Sequence, residues 1–192
     1  MENKLKITVG IPTNRGVKAK TIFSLLEMVV FSKHIFHFVI ATEGYTIAEN
    51  RAYITTQALK NKSDYLLFCD DDMVFPPDTL ERLLAHKKDV IGVASHSRCL
   101  PLKTTVQLLD GTVSAEFPKE LLEVKQVGTG IMLIDIKVFE KIDKPYFNTK
   151  SHENGFTLMG EDAWFCSQAK QAGFHIYCDG SLKIGHVGDY IF

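Results

Sequence analysis

Three consecutive carboxylates, Asp70, Asp71 and Asp72, follow directly on the apolar run Tyr65-Leu66-Leu67-Phe68-Cys69. Two like unit charges about 4 Å apart repel by roughly 4 kcal/mol at an effective dielectric near 20. Such crowding opposes ionisation of both groups. A divalent cation among them would reverse the sign of the interaction. The plain alternative is a solvated turn, or a set of caps for the next helix. Asp78 already supplies a cap, however, with Glu81 at capping-box spacing. In open α/β sheets ligands bind beyond the carboxyl ends of the strands, which is where a strand over 65–69 sets the triplet. Residue type and position point to metal or metal-phosphate binding, with the solvated turn still open.

The elements that must position this triplet are legible as alternating patterns. Residues 5–11, LKITVGI, predict a first strand closed by Pro12 and an Asn14–Gly16 turn. Residues 17–32 predict a helix with Ile22, Leu25, Leu26, Val29 and Val30 on its apolar face. IFHFVIA at 35–41 is a second apolar run, and Thr46 and Glu49 open a helix through about Leu59. A helix from Pro77 or Asp78 through about His86 and a strand at 89–94 follow. Strand–helix alternation predicts an α/β sheet, largely parallel in this half. Beyond it, Asp110–Gly111 signals a hairpin, and 124–136 reads as strand with a break at Gly128–Gly130. Residues 143–159 read as a polar, irregular, mobile loop, and 160–173 as a helix ended by Gly173. No linker is visible, so one domain is expected over 1–192, with a nucleotide-binding part to about 94 and an acceptor-side part from about 95.

Composition narrows the class. The 192 residues carry a net charge of −1, with 45% apolar and 23% charged residues. No overall basic field favours nucleic acid. The start, MENKLKITVG, lacks a signal peptide's apolar core. The most apolar region, 22–41, is broken by Glu27, Lys33, His34 and His37, so a membrane span is not expected, and peripheral membrane contact stays open. Cys69, Cys99, Cys166 and Cys178 form no C-x-x-C pair. Cys69 and Cys166 read as buried free thiols, and a cytoplasmic setting is expected.

The segment YLLFCDDDMVFPPDTLERLLAH resembles the D-x-D region of GT-A-fold glycosyltransferases, especially the family 2 type. ITVGIPTNRG is similar to the family's opening strand, YTIAENRAYITTQAL to the helix before the D-x-D strand, and MGEDAWFCSQAKQAGFHIYCDGSLKIGHVG to the acceptor-side helix and tail. The middle, about 95–127, matches poorly. The resemblance implies a mixed sheet flanked by helices and a hexosyltransferase. Its donor would be a nucleoside-diphosphate sugar, UDP-linked by default and GDP-linked as the option. The acceptor would be a hydroxyl on a glycan, a lipid-linked or a small molecule. Asp70 and Asp72 fall on the two motif positions that hold Mn²⁺ or Mg²⁺, and Asp71 on the variable one. His186 matches a tail histidine that completes the metal site, a donor set that favours Mn²⁺.

The same resemblance puts Pro12 and Thr13 at the nucleoside and Arg51 at the donor. Glu43 falls near a base contact, although a solvated loop residue fits it equally. Arg15 could pair with a phosphate or be exposed. Gly128 and Gly130 would let the backbone approach a substrate closely, or serve only a tight turn. Glu161 and Asp162 could simply favour a helix N-terminus, an effect of about 0.3–1 kcal/mol. The resemblance instead makes Asp162 the general base of an inverting transfer and gives Glu161 a hold on acceptor or loop. A helix N-terminus is expected to lower the pKa of Asp162. If configuration is retained, Asp162 orients the acceptor. Two other functions remain open at this point: a nucleotidyltransferase that makes a nucleotide sugar, and a non-catalytic nucleotide-sugar or carbohydrate-binding module.

Overall fold

The computed structural model describes residues 4–44, 46–96, 103–114 and 116–188. In chain order the first half contains β1 (Lys6–Pro12), α1 (Ala19–Phe31), β2 (Ile35–Ala41), α2 (Ile47–Lys60), β3 (Tyr65–Cys69), β4 (Met73–Val74), α3 (Thr79–Ala85) and β5 (Val90–Val93). The second half adds β6 (Val106–Gln107), β7 (Leu121–Val124), β8 (Gln126–Val127), β9 (Ile131–Asp135), β10 (Lys150–Ser151), β11 (Thr157–Met159), α4 (Glu161–Gln171), β12 (Ile176–Asp179) and β13 (Gly185–His186).

One seven-stranded sheet runs in the order β2-β1-β3-β9-β5-β12-β7. β1 pairs in parallel with β2 and β3, and β5 in parallel with β12. The expected α/β class, a mixed sheet flanked by helices, therefore stands. β9 inserts antiparallel between β3 and β5. The strands β1, β3, β9 and β5 read as near-continuous apolar runs because helices cover both faces. On one face Ile7, Val9, Ile11, Leu67 and Leu133 pack with Leu25 and Met28 of α1 and Leu80 of α3. On the other, Leu66, Phe68, Met132 and Ile134 pack with Ile54 of α2 and Phe165 of α4.

Local signals largely set the helices. Thr46 and Glu49 form the full capping box at the start of α2. α4 is followed by Gly173 at φ 89°, a left-handed stop. Asp78 stands at the N-cap of α3, yet its side chain makes no cap bond; Thr79 Oγ1 donates to Pro76 O at 2.7 Å instead. α1 is rotated from expectation: it buries Thr21, Ser24, Leu25 and Met28 and leaves Ile22, Leu26 and Val30 exposed. The reason is polar. Thr21 Oγ1 donates to Asp71 O at 3.1 Å, and Ser24 Oγ accepts from Phe75 N–H at 3.3 Å. These bonds hold the hydroxyl face inward on a helix that is apolar nearly all round.

The Asp110–Gly111 turn forms, with Gly111 at φ 90° and a bridge between Gln107 and Val113. The 143–159 segment is more ordered than its composition predicts. Tyr146 and Phe147 are buried, and β10 and β11 form a short hairpin. Cys69, Cys166 and Cys178 are buried free thiols, and burial pushes Cys166 and Cys178 up to about 12. Cys99 lies outside the described residues. Among the described residues no helix is long and apolar enough to cross a membrane.

Gly10 marks the tightest helix–sheet approach. A Cβ there would stand 2.2 Å from Ile54 Cγ2. Gly10→Ala should therefore overpack the α2–β1 contact and cost about 1–3 kcal/mol in urea unfolding, and Gly10→Ala/Ile54→Ala should recover part of that loss.

Candidate active site

The site lies beyond the carboxyl ends of β1, β3 and β5, where α4 crosses. A cavity of about 220 Å³ there is lined by Arg51, Asp70, Glu161, Asp162 and His186, with Ser95, His96 and the Gly128–Gly130 turn completing the wall. Four separate segments supply the charged groups. Arg51 comes from the buried face of α2, Asp70 from the end of β3, Glu161 and Asp162 from the first turn of α4, and His186 from β13. The β13–β4 ladder pairs His186 with Met73 and so brings the tail beside the triplet.

Arg51 is the centre of this arrangement. Its side chain is 3% exposed; Nη2 bonds Asp70 Oδ1 at 2.8 Å, and Nε stands 3.5 Å from Glu161 Oε1. The guanidinium lies over the Phe68 ring, 5.2 Å from its centroid. Phe68 meets Phe147 edge-on, and Phe147 stacks on Phe165 of α4. Burial alone would lower the arginine pKa, but Asp70 and Glu161 outweigh it and hold the pKa above its ordinary value. Arg51 is thus a buried clamp that reaches the cavity from beneath.

The three aspartates do not crowd one ion. Asp70 turns to Arg51 and the cavity. Asp71 accepts from Thr13 Oγ1, and its carbonyl takes the Lys18 N–H at 2.8 Å. Asp72 is 4% exposed, and its carbonyl accepts the Val187 N–H at 2.8 Å. Of the expected trio Asp70, Asp72 and His186, Asp70 and His186 line the cavity, and Asp72 is buried and bonded through its carbonyl to the residue after His186. Among the described residues, no three His, Cys, Asp or Glu side chains form a group that could hold a metal by themselves. Asp70 and His186 fit Mn²⁺ or Mg²⁺ as a half-site, because such ions are commonly held by one or two carboxylates plus substrate phosphates and water.

The remaining candidates fall into three groups. Pro12 and Thr13 are buried, and Thr13 Oγ1 accepts from the N–H groups of Arg15 and Gly16, so it shapes the loop from inside. The Arg15 side chain is exposed. Glu43 lines a separate cavity of about 500 Å³ with Thr42, Gly44, Asn50 and Tyr53. Gly130 accepts the Asp70 N–H at 2.8 Å, and a Cβ there would meet Met73 Sδ at 3.4 Å. It supports the aspartate by backbone contact.

Asn50 is a site residue that its neighbour Arg51 overshadows in the sequence. It is buried, donates to Asn14 Oδ1 at 3.2 Å, and accepts from Gly44 N–H at 2.8 Å, tying together the loops after β1 and β2. Ser95 and His96 were also missed. Their signal was available, since they follow the strand at 89–94 at its carboxyl end.

The pKa of Asp162 runs opposite to expectation. Burial and then Glu161 raise it, and together they outweigh the Ala163 N–H that its carboxylate accepts at 2.7 Å. The carboxylate is more basic than usual, which suits proton acceptance.

No family model matches this sequence, and no curated protein matches it. Solved structures do. A197 from STIV superposes with a TM-score of 0.70 at 23% identity, over 96% of this chain and 87% of that one. GalNAc-T7, crystallised with UDP, GalNAc and Mn²⁺, gives a TM-score of 0.57 at 11% identity, over 98% of this chain. The match spans 45% of the GalNAc-T7 chain. The inositol-1-phosphate CTP transferase from T. maritima gives 0.52 at 11% identity, over 95% of this chain and 88% of that one. The fold is thus GT-A-like: a mixed α/β sheet flanked by helices, shared with glycosyltransferases and a nucleotidyltransferase.

Two outcomes follow for the charged core. Arg51→Met leaves Asp70 and Glu161 beside an apolar side chain and should cost about 3–5 kcal/mol in urea unfolding; an unchanged midpoint would refute the clamp. For Asp162 the sign is explicit. A raised carboxyl pKa favours the folded state below the unfolded value, and that contribution is lost as pH rises through the folded value. Asp162→Asn should therefore raise Tm at neutral pH, with the gain shrinking toward acid.

Proposed function

We propose that the chain is a metal-assisted glycosyltransferase, family 2-like, that moves a hexose from a nucleoside-diphosphate sugar to a hydroxyl acceptor. The observation that carries this reading is the convergence of Asp70, Asp162 and His186 on one cavity over a buried arginine. Asp70 and His186 would hold Mn²⁺ or Mg²⁺, which when bound supplies a Lewis acid for the charge on the leaving diphosphate. Asp70 is fixed in direction by its bond from Arg51. Thr13, Asn50 and Asp71 hold the β1 loop that faces the nucleoside side. Glu43, in the neighbouring cavity, is the candidate for the base contact.

In an inverting transfer Asp162 accepts the acceptor proton as the acceptor oxygen bonds to the anomeric carbon. The bond from that carbon to the diphosphate breaks, and the electron pair leaves with the diphosphate. A donor with a UDP group is the first to test, and a GDP group the second.

The experiment is a thermal-shift series with UDP-, GDP- and dTDP-sugars, each with and without Mn²⁺. Ligand binding to the folded state raises Tm by mass action. The reading expects one donor to stabilise the chain only in the presence of the ion, and Asp70→Asn to abolish that shift. Asp162→Asn should leave the donor shift in place and lower transfer by about 10²-fold or more, the usual scale of general-base catalysis. Stabilisation by a nucleoside triphosphate, with pyrophosphate release, would instead make the chain a nucleotidyltransferase.

A further inference from the structure

Asp162 lines two cavities. One is the small cavity it shares with Asp70 and His186. The other, about 650 Å³, opens on the outer flank of α4, and Asp162 is the one carboxylate among the described residues that line it. Beside Asp162, its polar lining residues are Gln107, Gln126, Gln171, Ser167, Lys125 and Lys170, and Leu158 adds an apolar patch. Lys170 Nζ donates to Val124 O at 3.5 Å, which carries its charge to the strand segment from which Lys125 springs. Glu123 feels Lys170, but its carboxylate is engaged by His175 Nδ1 at 2.8 Å.

We propose that this outer cavity receives the acceptor, and that the acceptor is a sugar bearing an anionic group, a phosphate or a carboxylate. The inference rests on the glycosyl-transfer reading above. Glutamine side chains each offer a carbonyl and an amide, a match for sugar hydroxyls, and lysine ammonium groups are donors only. Two lysines in one wall can donate to the hydroxyls of a neutral sugar as well, but their charge favours an anion. An acceptor held by Lys125 and Lys170 lies beside Asp162, the residue common to both cavities, so its hydroxyl meets the donor there.

The test is an NMR titration of the ¹⁵N-labelled full chain with glucose 6-phosphate, glucuronate and glucose. At least one charged sugar should shift the amides of Gln126, Ala163 and Ser167 and bind about tenfold more tightly than glucose, within the range that one hydrogen bond to a charged group supplies. The tighter of the two identifies phosphate or carboxylate. Lys125→Gln/Lys170→Gln should reduce that binding to the level of glucose, and Lys125→Arg/Lys170→Arg should retain it. Equal binding of all three sugars, shifts confined to other parts of the chain, or an unchanged affinity in the glutamine variant would overturn the proposal. UDP-glucose with Mn²⁺ is titrated in parallel and read at Gly130 and Glu161. Donor binding without discrimination among the sugars sinks the acceptor assignment alone. Charged-sugar binding at α4 with no response to UDP-glucose, nor to the UDP-, GDP- and dTDP-sugars of the thermal-shift series, sinks the transfer reading and leaves the anionic-sugar site standing.

Discussion

The guanidinium of Arg51, buried between Asp70 and Glu161, is the interaction on which the site depends. It joins α2 from the first half of the chain to the end of β3 and the start of α4. A charge this buried survives because it has carboxylate partners and an aromatic face beneath it. The stack Phe68, Phe147, Phe165 carries that support into the core of the second half. The distance between the end of β3 and the start of α4 is thus set by one cation and its packing.

The acidic triplet looks different once its neighbours are known. Mutual repulsion is relieved by divergence: Asp70 toward arginine, Asp71 toward a threonine hydroxyl, Asp72 into the interior beside the tail. The main chain of two of the three serves the scaffold. Asp71 accepts through its backbone carbonyl from the start of α1, and Asp72 in the same way from the β13 strand end. One aspartate of the triplet is left facing the cavity, together with His186 from the tail.

Asp162 illustrates how position and electrostatics combine. Its peptide environment at a helix start favours the anion, while burial and Glu161 favour the neutral acid, and the latter prevail. The result is a carboxylate of raised basicity at the meeting point of a narrow charged cavity and a wider, amide-lined one.

The sequence by itself determined whatever depends on neighbours a few residues apart. The apolar runs at 5–11 and 65–69, the Thr46–Glu49 box and the Gly173 stop each act through bonds within one or two turns of chain. The acidic triplet after the apolar run at 65–69 and the acidic pair opening the last helix were legible for the same reason. Tertiary structure alone decided the antiparallel insertion of β9 between β3 and β5, because strand partners are chosen by contacts some sixty residues apart. It also decided which face of α1 is buried: nine of its thirteen residues are apolar, so periodicity is ambiguous, and hydroxyl bonds to Asp71 and Phe75 settle the rotation. The fate of Asp72 and the basicity of Asp162 belong to the same class. Each is a sum of burial and charge from distant segments, which no local pattern encodes.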